Sequence, residues 1–416
     1  MSLGFHVIAK PRGPVCNLAC GYCYYMPAKQ FYPGETAFRM SDEVLERFVR
    51  QYIEAHEHSE VMFTWQGGEP TLMGLEFFQR VLALQRMYRK PGVSVANSLQ
   101  TNGLLIDRDW CEFLRDNRFL VGLSLDGPAE LHNAHRIGKD GGPTFDLAYR
   151  GLDLMRRHGV DFNILCVVTS INAQHPARVY RFFRNEGVRH VQFIPAVQRD
   201  GKAVTTWTVS PRAWGRFLCD IFDEWLVRDV GRIHVQQFEL ALEAWCGIEP
   251  SLCAHASTCG RALAVEHNGD VFACDNYIDA AHRLGNLKLD RLADLVELPS
   301  LRRFGRDKTD KLPHVCRECN VRFACNGGCP KDRFILASDG EGGLNYLCEG
   351  YRTFFGHAGP HLEKMEQLLR QGRPAAAVMT DRSARAGQAG PGRNSACPCG
   401  SGKKYKLCCG GSNYSR

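Results

Sequence analysis

The chain has 416 residues, 44% of them hydrophobic and 23% charged, which predicts a soluble protein with a sizeable core in two or three domains. No apolar run approaches the roughly 20 residues of a membrane-spanning helix, and the opening MSLGFHVIAK lacks the basic flank and long apolar block of a secretory signal, so a cytoplasmic protein is expected. The net charge of +7 lies in the tail: residues 373–416 hold eight basic residues and one acid, and removing these from the whole-chain 52 and 45 leaves 44 of each, so the bulk of the chain is not a basic nucleic-acid groove.

Six apolar, β-branched runs read as strands: 5–10, 61–66, 94–101, 119–125, 161–169 and 190–194. Amphipathic runs between them predict helices. The first starts after Ser41 as N-cap, with Asp42 and Glu43 in its first turn; others lie near 74–90, 107–117, 144–158 and 175–187, the last closed by Gly187. Repeated β-then-α units predict a parallel sheet with right-handed crossovers. Six units are too few for a closed eightfold barrel, so the expected fold class is α/β, an open partial (β/α)6 TIM-like barrel with its chemistry at the carboxyl ends of the strands. Three polar stretches follow strands there: QGGEP at 66–70, TNG at 101–103 and SLDG at 124–127.

Beyond about residue 235 the alternation fades and cysteines crowd between Cys253 and Cys348, which predicts a second unit, 236–372, held by metal more than by an apolar core. Residues 373–393 are rich in Ala, Gly and Arg and read as a flexible linker, and 394–416 as a separate cysteine module. The expected domains are therefore 1–235, 236–372 and 394–416.

Nineteen cysteines in a chain without an export signal are expected to stay reduced, which favours metal over disulfides. Cys16, Cys20 and Cys23, in CNLACGYCYY, follow the first strand at C-x3-C-x2-C spacing. The i, i+4, i+7 pattern also suits a buried helical face, but Pro14 and Gly21 argue for a loop. Three thiolates leave a metal centre one ligand short, and an open position is where a reacting partner binds. In 236–372 the cysteines are Cys253, Cys259, Cys274, Cys316, Cys319, Cys325, Cys329 and Cys348, spacings that zinc ribbons use as well as iron–sulfur sites do. Asp275, directly after Cys274, is either a general base or a solvated loop aspartate. Cys111, Cys166, Cys219 and Cys246 read as unligated cysteines, the first three as small core residues. The pairs His56/His58 and His132/His135 read as surface or turn residues.

The three-cysteine loop, with Tyr22 before its third cysteine, resembles the signature of radical S-adenosylmethionine enzymes. The resemblance implies a 4Fe–4S cluster on Cys16, Cys20 and Cys23, its fourth iron chelated by S-adenosylmethionine, which on one-electron cleavage gives a 5′-deoxyadenosyl radical. It assigns the Gln66, Gly67, Gly68, Glu69 segment to the methionine amino group and Ser124 to the methionine carboxylate. Asp126 stands among the groups near the ribose, Asn102 and Arg136 are further candidates, and Tyr22 packs around cluster and cofactor.

The cysteines of 316–348 resemble a SPASM domain with two auxiliary 4Fe–4S clusters. One would sit on Cys253, Cys259, Cys274 and Cys329, the other on Cys316, Cys319, Cys325 and Cys348, both closed by protein and so suited to electron transfer. The tail segment NSACPCGSGKKYKLCCG resembles a SEC-C motif, implying zinc on Cys397, Cys399, Cys408 and Cys409 and a docking role.

FHVIAKPRGPVCNLACGYCYY, TWQGGEPTLMG, QTNGLLI and VGLSLDGP together resemble anaerobic sulfatase-maturating enzymes over roughly residues 1–370. That resemblance implies oxidation of a cysteine or serine in an unfolded or nascent sulfatase to Cα-formylglycine, with Asp275 as base. A flavodoxin- or ferredoxin-type electron donor, a monomeric state and no membrane or nucleic-acid partner are expected with it. Two other readings stay open: a SPASM maturase that forms thioether or C–C crosslinks, and a zinc-stabilised binding protein without catalysis.

Overall fold

The computed structural model describes residues 4–201, 203–380, 394–395 and 404–405. The expected zinc ligands Cys397, Cys399, Cys408 and Cys409 lie outside the described residues.

The six expected strands form, within a residue or two, as β1 (His6–Lys10), β2 (Glu60–Trp65), β3 (Ser94–Thr101), β4 (Phe119–Ser124), β5 (Phe162–Val168) and β6 (His190–Pro195). They pair in parallel in sequence order. Right-handed crossovers in sequence order put the connecting helices on one face of the sheet. Those helices are Asp42–Ala55, Leu75–Tyr88, Arg108–Asp116, Phe145–His158 and Pro176–Asn185. Ser41 caps the first by accepting from the Val44 N–H, and Asp107 caps the third by accepting from Trp110.

Alternation along β2 shows how the pattern becomes a layer. Val61, Phe63 and Trp65 are fully buried against the helices, where Phe63 meets Phe48 and Tyr52 edge-on and Trp65 meets Phe77 and Phe78. Each such side chain stabilises the fold by roughly 1.5–3 kcal/mol. Met62 and Thr64 face the opposite way, and Thr64 pairs with Ser98 of β3 through its hydroxyl at 2.7 Å.

Two findings extend the expected sheet. His234–Val235 pairs with β6, and Ala262–Glu266 pairs in parallel with β1 on its free side, in the register Lys10 opposite Glu266. The latter strand continues antiparallel into Asp270–Phe272 and Arg283–Asn286, giving ten strands in one sheet that stays open at both ends.

The region beyond 235, expected to be held by metal more than by an apolar core, shares the apolar core of the first region. The helix Cys348–Arg370 lies along Pro211–Arg228, with Phe354 packed against Phe222 and Phe238. The two backbones approach so closely that a Cβ on Gly350 would stand 2.4 Å from the Pro211 carbonyl.

Two histidines expected as surface or turn residues are buried. His56 places its ring nitrogens against the carbonyls of Tyr52 and Phe5, and His132 sits between the Asp126 N–H and the Thr144 hydroxyl. Backbone groups, and for His132 the Thr144 hydroxyl, satisfy both rings. Cys111, Cys166 and Cys219 are buried, as small core residues would be.

Among the described residues no helix is long and apolar enough to cross a membrane.

Candidate active site

Cys16, Cys20 and Cys23 lie in irregular backbone between β1 and the short 3-10 turn Met26–Phe31, so they do not form a helical face. The loop is pinned from the segment after β4: Ala19 N–H donates to the Ile137 carbonyl and Gly21 N–H to that of His135. Burial pushes the Cys16 thiol up to about 12 and raises Cys20, the latter opposed by Arg136. A metal binding here has to displace those protons.

The loop after β2 presses directly on this cysteine loop. Gly67 and Gly68 both have positive φ, and a Cβ on Gly68 would stand 2.1 Å from the Val15 carbonyl oxygen and 2.5 Å from that of Gly13. Only glycine fits there. Glu69 follows, buried, and its N–H donates to Val15. Its Oε1 accepts from the Thr71 N–H and hydroxyl and from the Thr101 hydroxyl, at 2.6–3.0 Å. Its Oε2 accepts from the Asn102 N–H at 2.9 Å. Burial raises the Glu69 pKa and these donors oppose the rise. Oε1 is thus saturated by the chain itself, while Oε2 keeps a lone pair.

Asn102 reaches the cysteine loop, its amide donating to Asn17 at 2.7 Å and toward the Cys16 sulfur at 3.7 Å. Asp126 accepts from Arg136 through two bonds, from the Val167 N–H and from the Tyr22 hydroxyl. Arg136 also stands 5.5 Å over the Tyr22 ring. These side chains make a buried ion pair that anchors Tyr22 of the cysteine loop to the end of β4. Ser124 is buried where β4 ends, and Gln66 N–H donates to the Ala9 carbonyl. The structure therefore gathers Tyr22, Glu69, Asn102, Asp126 and Arg136 around the three cysteines.

Asp275 adjoins the same site from the second region. One carboxylate oxygen pairs with Lys10, the last residue of β1, and the other accepts from the Tyr24 hydroxyl at 2.6 Å. Lys10 is fully buried and lies 4.0 Å over the Tyr25 ring, whose hydroxyl donates to Glu266. Asp275 thus links a cysteine-loop tyrosine to the backbone of Cys274. The sequence reading did not single out Lys10; a lysine ending an apolar strand at the carboxyl edge was the available signal.

The eight cysteines beyond 235 sort into two neighbourhoods. Cys274, Cys329 and Cys259 each lie within electrostatic reach of Cys253. Cys325 and Cys348 lie within reach of Cys316 and Cys319, and these four line a cavity of about 380 Å³. Burial pushes Cys325 and Cys329 up to about 12 and Cys348 to about 11. Among the described residues no three His, Cys, Asp or Glu side chains converge closely enough to share a single metal ion. A 4Fe–4S group bonds each thiolate through a different iron, so its ligands stand apart.

Two cations fit an anionic group in these neighbourhoods. Lys308, buried, donates to the carbonyls of Cys253, Ala254 and Ala256. Arg333 donates to those of Gly327, Lys308, Asn326 and Gly328. Burial lowers the Lys308 pKa, and Cys259 and Cys253 oppose that shift. Neither residue was found by sequence reasoning, since a lysine and an arginine in polar segments carry no signal of burial.

The chain is similar to known proteins along most of its length. Residues 11–183 match the Radical SAM superfamily, 253–320 the SPASM iron-sulfur cluster-binding domain and 393–411 the SEC-C motif. A serine-type anaerobic sulfatase-maturating enzyme of Bacteroides thetaiotaomicron is 41% identical over 387 residues, 89% of this chain and 93% of that protein. A cysteine-type enzyme of Clostridium perfringens is 37% identical over 363 residues, 86% and 96% of the two chains. The solved structure of native anSMEcpe with bound AdoMet superposes with a TM-score of 0.80 at 36% identity, covering 87% of this chain and 99% of that one. With 41% identity across nine-tenths of its length, and the radical-site and SPASM regions both matched, the chain belongs to the anaerobic sulfatase-maturating enzymes, radical S-adenosylmethionine enzymes with a SPASM domain.

Proposed function

We propose that this chain oxidises a cysteine or serine of an unfolded sulfatase polypeptide to Cα-formylglycine. The observation that carries this reading is Asp275, held between Lys10 and Tyr24 beside the three-cysteine loop and directly after Cys274. Cys16, Cys20 and Cys23 hold a 4Fe–4S cluster open to S-adenosylmethionine, and the two quartets Cys253/Cys259/Cys274/Cys329 and Cys316/Cys319/Cys325/Cys348 hold two more. Bound, these groups supply a hydrogen-atom abstraction at the substrate Cβ and a sink for the second electron.

The chain's own residues do the rest. Asp275 takes the thiol or hydroxyl proton. Lys10 and Tyr24 hold its two oxygens, one by an ion pair and the other by a hydrogen bond. The Glu69 brace fixes the loops after β2 and β3, leaving their backbone and one Oε2 lone pair toward the methionine amino group. Ser124 meets the methionine carboxylate. Asn102, Gln66 and the Tyr22–Asp126–Arg136 network shape the surroundings of cluster and ribose. Residues 1–235 form the radical-site domain, 236–372 the auxiliary domain, 373–393 a linker and 394–416 a zinc module on Cys397, Cys399, Cys408 and Cys409. The protein works as a monomer in the cytoplasm with a flavodoxin- or ferredoxin-type donor.

Anaerobic turnover with matched cysteine- and serine-containing sulfatase-motif peptides, read by mass spectrometry and hydrazide capture, tests the reading. Formylglycine from either peptide supports it; a crosslinked product, or a purified protein carrying zinc without iron, overturns it.

A further inference from the structure

A buried ammonium needs a counter-charge, and carbonyl oxygens alone replace its hydration poorly. Lys308 is 1% exposed, yet its partners are three backbone carbonyls of the segment that carries Cys253, and it pairs with no carboxylate among the described residues. The titratable groups facing it are the thiols of Cys259, Cys253 and Cys329 and the guanidinium of Arg333. Glu249 lies within electrostatic range and is engaged by the Ser257 N–H. Thr309, next in the same helix, pins the same segment without charge, its hydroxyl donating to the Ser257 carbonyl at 2.6 Å.

We propose that Lys308 is a positioning and potential-setting residue of the Cys253/Cys259/Cys274/Cys329 site: its buried charge makes this quartet the better electron acceptor of the two. The proposal rests on the reading that the quartets hold 4Fe–4S groups. When substrate oxidation releases its second electron, the proton leaves to Asp275 and the electron to the iron–sulfur group, which gains one negative charge. A fixed cation stabilises that reduced form more than the oxidised one and raises its potential. Lys308 touches the backbone of Cys253 itself and is fully buried, whereas the cations at the Cys316/Cys319/Cys325/Cys348 site are the half-buried Arg322, the exposed Arg352 and the shared, half-buried Arg333.

The test uses full-length protein reconstituted anaerobically in a background where Cys16, Cys20 and Cys23 are alanine, so that the quartets alone supply cluster signals. Iron and sulfide are counted, and midpoint potentials are read by electron paramagnetic resonance. Lys308→Gln is expected to keep its iron and move one of the two midpoints to more negative potential, with Lys308→Arg restoring it and Thr309→Val leaving it in place. An unchanged midpoint in Lys308→Gln at full iron content overturns the proposal. So does a Thr309→Val shift equal to that of Lys308→Gln, which would make the effect structural. Loss of iron from Lys308→Gln but not from Lys308→Arg supports the charge pairing; loss from both overturns it. A parent protein that binds zinc and no iron instead sinks the underlying reading, a separate outcome.

Discussion

The three-cysteine loop and the two cysteine quartets stand in different electrostatic surroundings. Around Cys16, Cys20 and Cys23 the buried charges cancel or are negative: Arg136 is locked onto Asp126, and Glu69 sits uncompensated beside Cys16. Around the quartets the buried cation Lys308 and the half-buried Arg333 are bonded to carbonyls, while Asp275 beside Cys274 is paired with Lys10 and the buried Asp332 near Cys329 stands beside Lys331. A group that must push an electron onto a sulfonium gains from negative surroundings, and one that must accept an electron gains from positive ones. The ligand count differs in the same sense. Three thiolates leave a place for a reactant; four do not. The contrast gives the proposed chemistry a direction, from the open site through the substrate to the closed ones.

The largest effects come from removing ligands on either side of that contrast. Cys20→Ala is expected to abolish both reductive cleavage of S-adenosylmethionine and peptide oxidation. Cys325→Ala is expected to keep the cleavage while peptide oxidation fails. 5′-Deoxyadenosine and product peptide, quantified from the same anaerobic reaction, check both; equal loss of both products in Cys325→Ala would break the division of labour. Asp275→Asn comes next. Removing a positioned base costs about 10²–10⁴-fold, and the loss is expected in peptide oxidation with cleavage of S-adenosylmethionine retained. Nearly full oxidation by Asp275→Asn would remove Asp275 from the mechanism.

Much of this was legible in the sequence, and the parts that were not share a physical cause. Strand and helix periods place β1 to β6 within a residue or two, because each strand buries one face against its own following helix. The pairing of Ala262–Glu266 with β1 joins segments some 250 residues apart, and a five-residue strand carries no mark of its partner. The apolar seam between Cys348–Arg370 and Pro211–Arg228 was hidden behind the cysteines that flank it. Spacing marked the cysteines of the open loop, and the resemblance to a SPASM domain sorted the other eight into quartets. Spacing could not name Lys10, Lys308 or Arg333, whose importance lies in being buried. Nor could it show that Glu69 is bonded chiefly to the chain itself.

That last finding yields an intermediate effect. Glu69→Ala strips the acceptor from the buried N–H groups of Thr71 and Asn102, each costing about 1–3 kcal/mol when left unpaired. Thermal unfolding is expected several degrees lower, together with a weaker affinity for S-adenosylmethionine by titration. An unchanged melting temperature would mean that the brace is replaced by water. Gly68→Ala acts on the same contact from the backbone side, because its Cβ would collide with the Val15 and Gly13 carbonyls. Lower iron retention at the three-cysteine site is expected, while the quartets keep theirs.

The smallest effect concerns acid stability, and it bears on the open site alone. Burial pushes His132 down to about 4, with Asp126 opposing and Arg136 assisting. Its ring accepts from the Asp126 N–H, so the folded chain holds it neutral. A histidine with a folded pKa below its unfolded value of about 6.5 binds fewer protons folded than unfolded between those two values. Its contribution is therefore complete above pH 6.5 and is lost progressively as pH falls toward 4. The full span is worth about 3 kcal/mol at roughly 1.4 kcal/mol per unit. Unfolding curves of the apo protein at pH 7.5 and 5 are expected to differ less in His132→Gln than in the parent. Equal pH dependence in the two would mean that the Asp126–Arg136 network tolerates a charged ring, and that the contrast between the two kinds of site is softer than the geometry implies.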